Sequence, residues 1–141
     1  MKIFQKVTGE TPPKRIASIE IVTLRQSSMR HTTEHEIIIK DGQAEVSEYE
    51  IFFGEEEDKR ELTARAVCEE NRVLKLVNDC RLLSWDGFHG KHPRGVKDGT
   101  MFMLTAFVNG GRRIYASGSQ NFPRRYSDFT DGLYRILHGK T

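Results

Sequence analysis

The chain lacks long hydrophobic runs and is poor in cysteine, proline and tryptophan. Its 141 residues include two Cys, four Pro and one Trp. No apolar run approaches the roughly 18 to 20 residues that a membrane-spanning helix needs. The first residues, MKIFQKVTGETPPKR, also lack the apolar core of a signal peptide. We therefore expect a cytoplasmic protein without a membrane segment, in which Cys68 and Cys80 stay unpaired because two cysteines make no disulfide framework.

The net charge of +2 conceals an uneven distribution of charged residues. Residues 1–70 carry 10 Lys and Arg against 15 Asp and Glu, whereas residues 71–141 carry 12 against 5. The two halves can fold against each other so that their fields partly cancel, or they can present a basic face to an anionic partner or an acidic face to a basic one. We favour the first interpretation because the charges are scattered and form no long basic block.

Four strands are predicted in the first half of the chain. Its apolar and β-branched residues largely follow a period of two, which is typical of strands. Asp41-Gly42 between two such runs indicates a tight hairpin turn. The predicted strands span residues 16–24, 36–40, 44–53 and 59–67, with further turns at 26–29 and 54–58.

The second half of the chain predicts two helices and another hairpin. The elements are a helix over 69–83, a loop over 85–99, strands over 100–108 and 112–117, and a last helix that begins at Pro123 and ends before Gly139. After a loose lead-in over 1–14, residues 15–141 are predicted to form a single α+β domain. Its order is ββββαββα, with a mainly antiparallel sheet and two helices on one face.

Residues His31-Thr-Thr-Glu34-His35 match H-x-x-E-H, the ligand pattern of the inverted zinc peptidases. That pattern needs a helix, which places both histidines on one face beside the metal. Here the motif adjoins a predicted strand, on which His31 and His35 would lie about 13 Å apart at roughly 3.3 Å per residue. We expect a polar strand surface and no zinc site.

A second metal hypothesis uses Cys68, Cys80, His89 and His92, spaced as C-x11-C-x8-H-x2-H. This spacing lacks the close cysteine pair of structural zinc sites. No neighbouring residue in sequence marks either thiol as activated, and both cysteines are expected at buried helical positions. We predict no metal, no cofactor and no catalytic residue from these patterns.

The predicted loop over 85–99 is a candidate binding region, because long loops without secondary structure are often functional. It gathers His89, His92 and Arg94 beside two aromatic residues, Trp85 and Phe88. The alternative, which we favour, is that the aromatic residues only fix the loop to the core.

The segment 117–126 is a second candidate region. It places Ser119, Asn121, Arg124 and Arg125 around the predicted start of the last helix, where free N–H groups favour anions. The alternative, again favoured, is that Ser119 or Asn121 caps the helix and that the arginines are solvated.

The last 60 residues or so resemble a group of small, uncharacterised bacterial proteins, mostly from Firmicutes. The shared pattern is a Trp-x-Gly turn, an Asp-Gly before a strand and a closing S-G-S-N-x-Y-P-x-x-[FY] before the last helix. Gln120 is an insertion relative to that pattern, and Phe122 stands where tyrosine is usual. The resemblance implies a bacterial origin and no particular activity. The matching residues are Trp85, Gly87, Asp98, Gly99, Ser117, Gly118, Ser119, Asn121, Pro123 and Tyr126.

No convergent catalytic set emerges from these patterns, so the leading hypothesis is a non-enzymatic binding or interaction module. It would be of a regulatory or immunity type and would bind an unidentified protein partner. The alternative is a small-ligand binder or enzyme with a site between the 85–99 loop and the 117–126 segment. Nucleic-acid binding through the basic second half is a further alternative that we do not favour. A homodimer through an edge strand stays open.

Geometry would separate these hypotheses. A binding module predicts an exposed patch, for instance with Tyr49, Phe52 or Phe53 standing out from the sheet. An enzyme predicts His89 or His92 facing a cleft, with a carboxylate within hydrogen-bonding distance. Nucleic-acid binding predicts four arginines on one face, namely Arg112, Arg113, Arg124 and Arg125.

Overall fold

A computed structural model of the chain describes residues 15–95 and 99–139. They form one seven-stranded sheet and two α-helices, as the α+β prediction requires. None of the described helices is both long enough and apolar enough to cross a membrane. The lead-in predicted over 1–14 lies outside the described residues. The elements are β1 (Ile19–Ser28), β2 (His31–Lys40), β3 (Gln43–Phe52), β4 (Lys59–Glu69), α1 (Glu70–Asp79), β5 (His89–Gly90), β6 (Met101–Val108), β7 (Arg112–Ser119) and α2 (Tyr126–His138).

The sheet has the strand order β4-β3-β2-β1-β6-β7-β5. Every neighbouring pair is antiparallel except β5 with β7, so the predicted mainly antiparallel sheet is confirmed. Strand β1 lies in the centre and joins the β1–β4 meander to the β6–β7 hairpin. Asp41 and Gly42 both have positive φ, at 54° and 77°, as a two-residue hairpin turn requires.

The predicted order ββββαββα is incomplete, because the 85–99 loop contains the two-residue strand β5. A one-turn 3-10 helix, Leu82–Trp85, also replaces the last turn of the predicted first helix. Arg81 at a φ of 55° separates this turn from α1. Elements this short leave no hydrophobic period in the sequence, which is why the pattern missed them.

Several predicted boundaries are wrong, and the second strand begins at His31 rather than at residue 36. Helix α2 begins at Tyr126 rather than at Pro123, because Arg125 has a φ of 69° and interrupts the backbone between them. The turn predicted at 26–29 is a Met29-Arg30 turn, since pairing with β2 extends β1 to Ser28. Cys68 lies in β4 and not in a helix.

Both helices pack on the same face of the sheet, which we call the covered face. Val73 and Val77 of α1 and Phe129 and Leu133 of α2 belong to the same buried cluster as this face. Trp85 fills the space beside α2, with its ring centroid 5.6 Å from that of Phe129. The sheet residues in the cluster are Val22, Leu24, Ile37, Ala44, Val46, Phe102, Leu104, Ala106, Ile114 and Ala116.

Helix α2 ends as its sequence predicts. Gly139 has a φ of 67° and closes the helix, and Arg135 and His138 occupy the last turn, where positive charge suits the helix dipole.

Candidate functional site

The opposite face of the sheet is the open face, because no described helix packs on it. Its residues differ sharply between two regions. We call the region over β2, β3 and β4 the arginine-covered half, and the region over β1, β6 and β7 the bare half. The difference between these halves locates the candidate site.

In the arginine-covered half, long side chains bury the surface of β2 and β3, whereas Leu62 and Val67 on edge strand β4 are 46% and 57% exposed. Glu34 is 7% exposed and accepts hydrogen bonds from Arg25 and Arg60, at 3.0 Å and 2.9 Å. The Arg60 guanidinium also lies 3.8 Å from the ring centroid of Tyr49, which is 8% exposed. Arg65 donates to Ser47 Oγ at 3.0 Å. The polar groups here therefore bind one another.

The prediction that Tyr49 stands out from the sheet is wrong, because the Arg60 side chain covers it. Phe52 and Phe53 are exposed, at 46% and 63%, as that prediction required. Phe52 is the last residue of β3 and Phe53 follows it, away from the bare half.

In the bare half, strand β6 presents large apolar side chains that nothing described covers. Met101, Met103 and Phe107 are 52%, 48% and 38% exposed. They alternate with Phe102, Leu104 and Ala106, which are buried on the covered face. Strand β6 is therefore apolar on both faces although only one face is packed.

Cross-strand pairing arranges the bare half in rows. Ser27, Met101 and Ser119 lie side by side on β1, β6 and β7, and Arg25, Met103 and Ser117 form the next row. Neighbouring strands are about 4.8 Å apart and alternate residues about 6.6 Å apart, so the two rows make a small, flat floor.

A cleft of about 460 Å³ lies over this floor. Its size is within the range of roughly 300 to 1,000 Å³ that is typical of small-molecule sites. A second hollow of about 400 Å³ adjoins it and shares Ser27, Met101, His92 and Ser119. The cleft is lined by Arg25, Ser27, His89, Lys91, His92, Met101, Met103, Tyr115, Ser117 and Ser119, with Gly90, Phe102 and Gly118.

One wall of the cleft is the segment that contains β5. Its parallel pairing aligns His89 with Ser117, and His89 Nδ1 lies 3.3 Å from Ser117 Oγ. In the neighbouring row, which contains Ser119, His92 Nδ1 lies 2.7 Å from Ser119 Oγ. The two rows of the floor thus each end in an imidazole paired with a hydroxyl.

Two glycines allow the Asn121 backbone to pack closely against β5 and β7. A Cβ added to Gly90 would lie 2.6 Å from the carbonyl oxygen of Asn121, and one added to Gly118 would also collide with that oxygen. The glycine in the S-G-S pattern therefore allows the Asn121 backbone to pack closely against β7.

The first part of the predicted loop is structural. Trp85 is buried and its Nε1 donates to the Arg124 carbonyl oxygen at 3.1 Å. Asp86 accepts a hydrogen bond from the Tyr115 N–H at 2.9 Å, and Phe88 packs against Phe102 with ring centroids 6.1 Å apart. These contacts hold the loop to β7 while His89 and His92 face the cleft.

The structure brings together three of the seven candidate site residues, namely His89, His92 and Ser119. Arg94, Asn121 and Arg124 do not line the cleft. Arg125 lines a separate hollow beside α2. The carboxylate expected beside a catalytic histidine is absent from the described lining of the cleft, where Ser119 and Ser117 are the partners instead. Asp98 lies outside the described residues.

The four arginines named for nucleic-acid binding do not share a face. Arg112 and Arg113 are consecutive residues of β7, so their side chains leave opposite faces of the sheet. Arg124 and Arg125 follow the other end of that strand.

The H-x-x-E-H motif lies on β2, as predicted, so it cannot form the helical zinc site. His35 is on the covered face and its Nε2 lies 3.0 Å from Glu48 Oε2, whereas Glu34 is on the open face. Burial lowers the pKa of His35 more than contact with Glu48 raises it. His31 pairs instead with Glu50, at 2.9 Å.

Both cysteines are free thiols. Burial raises the pKa of Cys80 to about 11 and also raises that of Cys68, which disfavours the reactive thiolate. Within residues 15–95 and 99–139, no group of three or more His, Cys, Asp or Glu residues is placed to hold a metal ion.

Sequence patterns had not singled out Arg25, Ser27, Met101, Met103 or Tyr115, which all line the cleft. One local signal existed: in Met101-Phe-Met-Leu104 the residues on both faces of the strand are apolar. The sequence does not say whether both faces are packed or one of them is left exposed. Which of these applies depends on the helices, which lie elsewhere in the chain.

Comparison of the chain with protein-family models, with curated proteins and with solved structures gave no match.

Proposed function

We propose that this protein is a non-enzymatic binding module whose binding surface is the bare half of the open face. The single observation that carries this proposal is the exposure of Met101, Met103 and Phe107 along one face of an internal strand. Contiguous apolar patches on soluble proteins mark interaction sites more often than isolated apolar residues do. Methionine suits such surfaces because its flexible side chain adapts to different partners.

The partner that we propose is another protein, and we place the interaction in the cytoplasm of a bacterium. The arginine-covered half supports the choice of surface by contrast. Its polar groups are already paired within the chain, so that contact with a partner would have to break ion pairs at Glu34.

The test is affinity capture from extracts of the cells that produce the protein, followed by quantitative mass spectrometry. Phe107→Gln and Met103→Gln should each lose a partner that the unchanged protein retains. Phe53→Gln is the matched control, because Phe53 is more exposed than Phe107 but lies off the bare half. Equal loss with all three variants would indicate nonspecific adhesion and would contradict the proposal.

A second candidate function is acyl transfer, favoured by the 2.7 Å contact between His92 Nδ1 and Ser119 Oγ. A base in contact with a serine is the minimum arrangement for nucleophilic catalysis. We rank it second because no carboxylate in the described lining orients the imidazole. A fluorophosphonate probe decides between the two, because it would label an activated Ser119 and would fail to label Ser119→Ala.

A further inference from the structure

We infer that the cleft binds a small anionic amphiphile, meaning an apolar chain or ring that carries one oxyanion such as a carboxylate. This inference goes beyond the proposed function, because it assigns a small ligand to the cleft at the concave end of the bare half. The apolar body would lie on Met101 and Met103, and the oxyanion beside Lys91, His92 and Ser119.

The floor of the cleft provides the apolar contact. Met101 and Met103 occupy the middle of the two rows, with β1 on one side and β7 on the other. Both thioethers are about half exposed, so a ligand body on them would remove apolar surface from water at roughly 25 cal/mol per Å².

The rim of the cleft selects for negative charge. Its polar side chains are hydroxyls, imidazoles, a guanidinium and an ammonium, all of which can donate hydrogen bonds. No Asp or Glu belongs to the described lining. Among the described lining residues, a cationic ligand would therefore find no counter-charge, whereas an oxyanion would find the Lys91 ammonium.

The two cations of the rim are not equivalent. Arg25 already donates to Glu34 Oε1 through both Nε and Nη2, so its charge is largely engaged. Lys91 makes no ion pair with any residue in the described ranges. It projects from the segment between His89 and His92, next to the end of the first row. Lys91 is thus the cation that is available to a ligand.

The rim is also held in place before any ligand binds. Gly90 and Gly118 pack closely against the Asn121 carbonyl oxygen, and the β5–β7 pairing sets the two histidines on their serines. A site assembled on paired strands loses little conformational freedom when it is occupied.

The experiment is an NMR titration of protein labelled with ¹³C at the methionine methyl groups, of which the chain has four. The probes are octanoate, octanol and octylammonium, which share a chain length and differ in charge. We expect octanoate to shift the Met101 and Met103 signals in a saturable way and to bind at least about ten-fold more tightly than octanol, since one charge-assisted contact is worth 1.5 to 3 kcal/mol. Octylammonium should bind more weakly than either.

Lys91→Met removes the charge and keeps the length of the side chain. It should weaken octanoate binding by about five-fold or more and leave octanol binding unchanged. Lys59→Met, on the far edge of the sheet in β4, is the matched control and should change neither.

Equal affinity for octanoate and octanol, or no effect of Lys91→Met, would overturn the inference. If no probe shifts the Met101 and Met103 signals while Phe107→Gln still loses its protein partner, the inference fails and the proposed function stands. If octanoate binds as expected but Phe107→Gln and Phe53→Gln retain the partner equally, the protein-binding proposal fails and the anionic site remains.

Discussion

The open face of the sheet is closed by side chains over β2 and β3 but is bare over β6, and edge strand β4 also exposes Leu62 and Val67, at 46% and 57%. Glu34, Ser47 and Tyr49 are as buried as core residues, although no described helix or loop covers them. Arginine stems from neighbouring strands lie across them and supply both apolar cover and hydrogen bonds. Met101 and Met103 have no such cover. A sheet face without a packed layer is therefore free for binding only where its own long side chains leave it exposed.

Among the variants that test the difference between the two halves, Glu34→Ala should lower the free energy of unfolding most. It removes the acceptor that holds Arg25 and Arg60 over the sheet. We expect the free energy of unfolding to fall by about 2 kcal/mol. The value is below that for a fully buried pair because both arginines are partly exposed and can regain water. Urea unfolding measures it, and Glu61→Ala, an exposed residue of β4, should change stability by less than about 0.5 kcal/mol.

Arg60→Ala should lower the free energy of unfolding by less, about 1 kcal/mol. It removes the cation over Tyr49 and one of the two partners of Glu34. Arg113→Ala is the matched variant in the bare half, where the guanidinium is 5.0 Å from the Tyr115 ring centroid and the ring is less buried. Arg113→Ala should lower the free energy of unfolding by less than half as much as Arg60→Ala in the same urea assay. Equal costs would mean that the two halves are covered alike.

Acid should destabilise the covered face through His35, whose pKa is lowered below the ordinary 6.5 by burial, against the opposing contact with Glu48. The unfolded chain then binds the proton more readily than the folded chain. The contribution of His35 to stability is complete above about pH 6.5 and decreases as the pH falls below that value.

Urea unfolding at pH 7.5 and 5.5 tests this expectation. The unchanged protein should lose stability between the two values, and His35→Gln should lose less. A separate decrease is expected below about pH 4.5 from Glu48, whose pKa is lowered overall by hydrogen bonds with Thr63 and His35 although burial raises it. An unaltered pH dependence in His35→Gln would assign the decrease to other groups.

The smallest effect on stability should come from Met103→Gln, less than about 0.5 kcal/mol, because the side chain is about half exposed on the open face. Thermal unfolding measures it, and the same variant should lose the protein partner. A large loss of stability would mean that Met103 is a packing residue and that the bare half is structural.

The two halves also differ in how far the sequence predicts them. The strands of the β1–β4 meander and the Asp41-Gly42 turn follow from local alternation and turn chemistry. The sequence also placed H-x-x-E-H on a strand and so excluded the helical zinc site. It did not predict that Tyr49 would be buried, because Arg60, eleven positions later, covers it only once β3 and β4 pair.

The candidate site was predictable only in part. The hypothesis of a site between the 85–99 loop and the 117–126 segment named His89, His92 and Ser119, which do meet in the cleft. It also named Arg94, Asn121, Arg124 and Arg125, which do not line it. Proximity in sequence had grouped these residues, whereas the direction of each side chain depends on β5 and on the reversal at Arg125.

The sequence by itself determined the antiparallel strands, the Asp41-Gly42 turn, the β6–β7 hairpin and both helices, because period, turn residues and capping residues act over a few positions. Only the tertiary structure decided that β1 pairs with β6, that β5 joins β7 in parallel, and that the helices cover one face alone. An alternating strand specifies two faces but neither its neighbours nor the face that is packed. The floor of Met101 and Met103 and the histidine–serine wall beside it arise from that long-range choice.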